Sequence, residues 1–178
     1  MYIELRTERL LLRPLNVMDL QTVHEYASDP ETTKYMLYLP NKKLEETHSF
    51  LARVSAEWQK EEPSFYEFAI IYNSIHIGAV SVYLNKEKTE GELGWILNKK
   101  YWGKGFATEA ALAVKSFAVK ELKVKKLVAH CDSRNLKSAH VMEKIGLSFE
   151  SEGERRYPDE RGSAGEFKYS CDIVDAQI

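Results

Sequence analysis

The order of segments predicts an α+β fold around one central sheet, and three observations carry that prediction. Phe65 to Tyr72, Ile75 to Leu84 and Glu90 to Leu97 are extended runs rich in β-branched and aromatic residues, joined by short polar turns as in an antiparallel meander. After them the period changes, and helix, strand, helix and strands follow in a β-α-β-α-β half. The chain has 178 residues, 44% of them hydrophobic, enough for one core that needs neither disulfides nor a structural metal. No repeat, low-complexity tract or linker divides it, so one domain over residues 1–178 is expected.

From the N-terminus, Ile3 to Arg6 and Leu10 to Leu15 read as short strands, after which Pro14 and Asp19 set up a helix from about Leu20 to Ala27. Asp29-Pro30 is expected to stop it. Leu44 to Lys60 carries Leu44, Phe50, Leu51, Val54 and Trp58 on one helical face, with Glu45 and Glu46 at its positive end. Asn73-Ser74 suits the tight turn of a hairpin. Ala107 to Leu122 places Ala111, Val114, Phe117, Ala118 and Leu122 on one face of a helix. Lys126 to Cys131 is a strand and Asn135 to Ile145 a helix closed by Gly146. Strands at about Leu147 to Arg156 and Glu166 to Ile173 finish the sheet, separated by a polar loop, Tyr157 to Gly165, long enough to reach over a site.

Charge and composition narrow the function classes. With 25 Lys and Arg against 27 Asp and Glu, the net charge of −2 argues against a globally basic nucleic-acid binder. No apolar run is long enough to span a bilayer, and Met1-Tyr2-Ile3-Glu4 does not read as a signal peptide, so a cytoplasmic protein is expected. Cys131 and Cys171 lack paired spacing and are expected to be reduced, largely buried thiols, and no spacing suggests a metal site.

The most informative stretch is Trp102-Gly-Lys-Gly-Phe-Ala-Thr-Glu109, at the start of an amphipathic helix. Amides of a helix's first turn have no intrahelical partners and the dipole there is positive, so such a stretch can hold an anion. Glycine at 103 and 105 lets a phosphate approach the backbone, and Lys104 adds a mobile charge. A plain glycine turn before a helix is the competing reading. A P-loop needs G-x-x-x-x-G-K-[ST], which is absent. A Rossmann turn needs a third small residue where Thr108 stands and an acid about 20 residues on, whereas the nearest one after the next strand is Asp132, so a nucleotide-binding oxidoreductase is disfavoured.

Trp102 to Ala107 resembles the [RQ]-x-x-G-x-[GA] segment of the GNAT superfamily of N-acetyltransferases. Leu10-Leu-Leu-Arg-Pro-Leu15 is similar to the opening strand of its RimJ/RimL branch, Glu92 to Leu97 to its fourth strand, and Tyr101 to Ala110 to its Y-W-G-K-G-[YF]-A-T-E-A run. Asn135-Leu-Lys-Ser138 with Glu143-Lys-Ile-Gly146 resembles the N-x-x-S…K-x-G segment after the fifth strand. The resemblance covers about residues 3–173. It implies a mostly antiparallel mixed sheet of six to seven strands with about four helices, the fourth and fifth strands splayed to admit coenzyme A. It also implies acetyl-CoA as co-substrate, its diphosphate held by the amides of Gly103, Lys104, Gly105, Phe106, Ala107 and Thr108, with Ile96, Leu97, Asn135 and Ser138 along the donor. The acceptor would be a protein N-terminal α-amino group, including that of a ribosomal protein, or a small-molecule amine. Monomer and homodimer are both compatible with it. Two positions depart from the family pattern: Trp102 replaces the usual Gln or Arg, and Met142 stands where many members have the tyrosine that protonates the thiolate. These departures leave open a module of the same fold that binds coenzyme A without catalysis.

Acetyl transfer to an amine needs a proton acceptor, a donor for the developing oxyanion and care of the thiolate. Glu92 is the expected base, with Asp159 and Glu160 in the polar loop as rivals and an exposed strand carboxylate as the bland alternative. The oxyanion donor would be a backbone N–H near Ile96 or Leu97. Ser138, one turn into its helix, is the candidate hydrogen-bond donor to the thiolate, although Ser138 and Asn135 also suit capping. His130 and His140 are expected to be surface or internally satisfied residues without pairing. The first two helices, Tyr35 to Leu39 and the Tyr157 to Gly165 loop should frame the acceptor pocket, with packing the simpler role for any one of those residues.

Overall fold

A computed structural model describes residues 2–174. Strands β1 (Leu5–Arg6) and β2 (Leu10–Pro14) open the chain, followed by α1 (Leu20–Ala27), α2 (Pro30–Thr33) and α3 (Leu44–Trp58). The meander is β3 (Phe65–Tyr72), β4 (Ile75–Leu84) and β5 (Glu90–Leu97), and α4 (Phe106–Lys120), β6 (Lys126–Asp132), α5 (Leu136–Lys144), β7 (Ser148–Arg156) and β8 (Ser163–Asp172) complete the fold. The class is α+β, as expected. The described residues form eight strands and five helices, where six to seven and about four were expected, because the two-residue β1 joins the sheet and α2 adds one turn. Asp29-Pro30 does not simply end α1. The Asp29 carboxylate accepts the Thr32 amide at 2.8 Å, and Pro30 at the first position starts a new turn.

All eight strands lie in one sheet, ordered β1-β2-β3-β4-β5-β6-β8-β7. Asn73 and Ser74 both have positive φ, the geometry of a tight primed turn, and so join β3 to β4. Helices α4 and α5 are tied by the Lys115 ammonium, which donates to the Ile145 carbonyl at 2.7 Å. Phe117 of α4 packs edge-on against Tyr66 and Phe68, which share a face of β3. On the opposite face, Arg53 of α3 stacks over Phe65. The core between these layers takes in Leu12, Leu51, Phe68, Ile70, Val80, Phe106, Leu127 and Ile145.

The functionally important feature is where the sheet fails to pair. Strands β5 and β6 are parallel and joined only at Glu90↔Lys126, Gly91↔Leu127 and Glu92↔Val128. Beyond that point β5 follows β4 as far as Leu97↔Gly78, while β6 follows β8 as far as Asp132↔Glu166. A cleft therefore opens between them, about four to five residues deep on each lip, or roughly 13–16 Å at 3.3 Å per residue. Register also fixes which side chains face it from one side. Phe65 opposes Tyr83, Tyr83 opposes Glu92 and Glu92 pairs with Val128, so by the period of two Glu67, Tyr83, Glu92 and His130 share one face.

Candidate active site

The loop before α4 has the backbone of an anion cradle. Gly103 (φ 74°) and Gly105 (φ 78°) are both left-handed, a region glycine enters without penalty. A methyl group added at Gly103 would meet nothing within 4 Å, so the loop's outer surface is open to a ligand. Gly103, Lys104 and Gly105 are exposed, and Ala107 and Thr108 are half-buried in the first turn of α4. Phe106 contributes only its backbone, because its ring lies in the core beside Tyr72.

The loop is braced from a distance in a way the sequence pattern did not suggest. The Arg9 guanidinium donates to the Lys104 carbonyl at 2.9 Å and to Glu109 at 2.7 Å, and the Thr7 hydroxyl donates to Glu109 at 2.6 Å. Burial alone would raise the Glu109 carboxyl, but the Thr7 hydroxyl and the Arg9 amide and guanidinium bring it below its usual value. Trp102, which departs from the family pattern, points inward instead of toward the loop surface. Its indole N–H donates to the Leu97 carbonyl at 2.9 Å, and Lys137 of α5 sits over its ring.

At the narrow end of the cleft the fold joins two residues far apart in the chain. Glu92, on the last paired position of β5, accepts a hydrogen bond from His130 Nδ1 at 2.9 Å. His130 is thus a satisfied residue, as expected, with a partner that spacing along the chain did not indicate. The pairing follows from register: His130 lies two residues beyond Val128, the partner of Glu92, on the same face. The hydrogen bond to Glu92 raises the His130 pKa above its usual 6.5 against the opposing effect of burial. Ile96, half-buried, and Leu97, buried toward the core, lie on the free part of the β5 lip.

On the β6 lip, Asn135 caps α5, its carboxamide oxygen accepting the Ser138 amide at 3.3 Å, so the capping reading of Asn135 holds. Ser138 is half-buried, and among the described residues no hydrogen bond engages its hydroxyl. Met142, one turn further on, is 1% exposed and belongs to the core. Both cysteines are free; Cys131 is buried and its thiol is pushed up to about 11, and Cys171 is partly buried.

The roof over this face is built by arginines reaching from the β7–β8 region to the segment after α2. The Arg161 guanidinium donates to the Met36 carbonyl at 2.8 Å and the Leu39 carbonyl at 2.7 Å and stacks over Tyr157. Arg155 donates to the Tyr35 carbonyl at 3.1 Å, and the Tyr157 hydroxyl donates to Asp132 at 2.6 Å. Burial works against ionisation of Asp132, yet Arg134 and the Tyr157 hydroxyl lower its carboxyl to about 2. Tyr35 to Leu39 and the polar loop thus meet, as expected, although β8 begins at Ser163 and shortens the loop. Asp159 is occupied by Arg161, which holds its carboxyl near 2, so this rival to Glu92 is a poor proton acceptor. Tyr38 is left 81% exposed at the rim.

Comparison with known proteins agrees with this geometry. Residues 9–148 match the family model described as "Acetyltransferase (GNAT) domain". The uncharacterized N-acetyltransferase YnaD of Bacillus subtilis is 31% identical over 143 residues, covering 79% of this chain and 80% of that protein. The spermidine N(1)-acetyltransferase of Escherichia coli K12 is 28% identical over 144 residues, covering 79% and 74%. A GNAT-family acetyltransferase from Bacillus anthracis, solved as a crystal structure, superposes with a TM-score of 0.83 at 30% identity, covering 96% and 98% of the two chains.

Proposed function

Because this chain belongs to the GNAT acetyltransferases and so uses acetyl-CoA, we propose that it acetylates a small aliphatic primary amine at the narrow end of the β5–β6 cleft. The observation that carries the reading is the parting of the strands immediately after Glu92↔Val128. It leaves a passage for the pantetheine arm that ends beside a carboxylate. The similarity to a spermidine acetyltransferase supports a small amine. An N-terminal α-amino group is the second reading, favoured by the RimJ/RimL-like run from Tyr101 to Ala110. The whole of residues 1–178 would act as one acetyltransferase domain in the cytoplasm. No helix among the described residues is long and apolar enough to cross a membrane.

In this reading the amides from Gly103 to Thr108 and the Lys104 ammonium hold the donor's diphosphate, and Glu92 takes a proton from the acceptor ammonium. A backbone N–H of Ile96 or Leu97 faces the acyl oxygen as it gains charge. Ser138, at the positive end of α5 with its hydroxyl unengaged, donates a hydrogen bond to the departing thiolate. Release of coenzyme A thiol is to be screened over spermidine, other aliphatic amines and peptides with free N-termini. Glu92→Gln should lower kcat by about two orders of magnitude at neutral pH with coenzyme A affinity retained. The loss should shrink at high pH, where free amine is abundant. A wild-type rate in Glu92→Gln would remove it from the chemistry.

A further inference from the structure

Glu92 is half-exposed, with 53% of its side chain accessible, and a free glutamate in that position would sweep through many rotamers. In this protein one side chain limits it. His130 stands on the facing lip, two residues past the last paired position, and its Nδ1 lies 2.9 Å from Glu92 Oε1. The bond crosses the cleft at its narrow end, so it joins two strands that nothing else in the backbone joins beyond Val128. His130 is only 26% accessible, its own strand being paired with β8 at Lys168. Among the described residues no hydrogen bond reaches its Nε2. With Nδ1 bonded to a carboxylate, the imidazole carries its proton there and fixes Glu92 in one orientation.

We propose that His130 is a positioning residue for acetyl transfer: it holds the Glu92 carboxylate at the narrow end of the cleft, and its charge sets how readily an acceptor ammonium approaches that carboxylate. The proposal rests on Glu92 being the proton acceptor. When His130 is an imidazolium, it still holds Glu92 but sets a positive charge against an incoming ammonium. When His130 is neutral, the Nδ1–H bond remains and the charge is gone. The groups facing His130 are Glu92 from β5 and Glu166 and Lys168 from β8. Glu166 is engaged by Arg155 at 2.7 Å and Lys168 by Glu150 at 3.0 Å, so Glu92 is the partner that sets its titration. His130 itself exchanges no atom with substrate. The acceptor ammonium loses one proton to Glu92 and on to water, the C–N bond forms as the C–S bond breaks, and the second proton leaves with the thiolate.

The test compares kcat from pH 5.5 to 9 in wild type, His130→Asn and His130→Ala, using the fastest acceptor from the amine panel. Taking each variant's rate as a ratio to wild type cancels the acceptor's own titration. Asparagine keeps an N–H near the Nδ1 position without a titrating ring. His130→Asn should stay within about threefold of wild type at pH 8 and gain on it as pH falls through the imidazole range. His130→Ala should lose about ten- to a hundredfold in kcat, with KM for acetyl-CoA unchanged. Combined with Glu92→Gln, His130→Ala should add little further loss, because the two act as one unit. An NMR titration needs no acceptor: the His130 ring should titrate above 6.5, and lower in Glu92→Gln. Wild-type kcat and pH profile in His130→Ala, or a His130 titration unmoved by Glu92→Gln, overturns the proposal while leaving Glu92 as base. A wild-type rate in Glu92→Gln overturns both.

Discussion

The two halves of the cleft are built by opposite means. On the side of the proposed donor cradle the surface is backbone: two left-handed glycines and the first turn of α4, all within a few residues of one another. On the other side, where the acceptor is proposed to enter, the roof is made of side chains acting over long separations, such as Arg161 holding the Met36 carbonyl 125 positions away. A backbone site tolerates changes of side chain but not of dihedral angle. A side-chain site behaves the other way round, and its geometry survives only while each arginine does.

Three substitutions probe that contrast. The largest effect is expected from Gly105→Val, where a β-branched residue would have to occupy φ 78° with its Cβ about 3.4 Å from Arg9 Nη2. Coenzyme A affinity measured by calorimetry should fall about a hundredfold, roughly 2.7 kcal/mol, while the circular dichroism spectrum stays that of the wild type. Unchanged affinity in the folded variant would show that the loop is not the cradle. Next comes Arg161→Ala, which should raise the acceptor KM about tenfold and leave coenzyme A affinity alone, since the 36–39 segment loses its donors. An equal fall in both affinities would mean that the halves are mechanically one.

The smallest effect concerns the sheet beneath both halves. Burial pushes the Glu67 carboxyl up to about 7 from its usual 4.5, against the Tyr83 hydroxyl donating at 2.8 Å. The folded state thus keeps a proton that the unfolded chain releases. The stability this provides is complete below about pH 4.5 and is lost as pH rises through 7. Glu67→Gln should be more stable than wild type by about 1–2 kcal/mol at pH 8, and the gain should vanish below about pH 4. Urea midpoints at the two pH values measure it, and a difference that does not change with pH would place the Glu67 proton elsewhere.

Legibility followed the same division. Gly103, Gly105 and the helix behind them lie together in the chain, so their chemistry was readable from spacing, as were the meander and the β-α-β-α-β half. The link between Glu92 and His130 was not readable, because it depends on the parallel register of β5 and β6, two strands that α4 separates in the chain. Arg9 and Glu109 stand 100 positions apart and no local pattern couples them. The single turn of α2 was missed because Asp-Pro was taken as a stop, when the same pair serves as cap and first residue. Asp159 was a plausible base from its loop position alone; only the fold reveals that Arg161 already engages it.

The Trp102 bond to the Leu97 carbonyl has a consequence for measurement of length. It ties the end of one cleft lip to the start of the glycine loop, so the span from Gly103–Gly105 to the narrow end of the cleft beside Glu92 acts as a ruler within the protein. If the proposed cradle and base act as argued above, a thioester whose arm matches that ruler should engage both together, whereas a truncated acetyl-cysteamine thioester should forfeit the cradle.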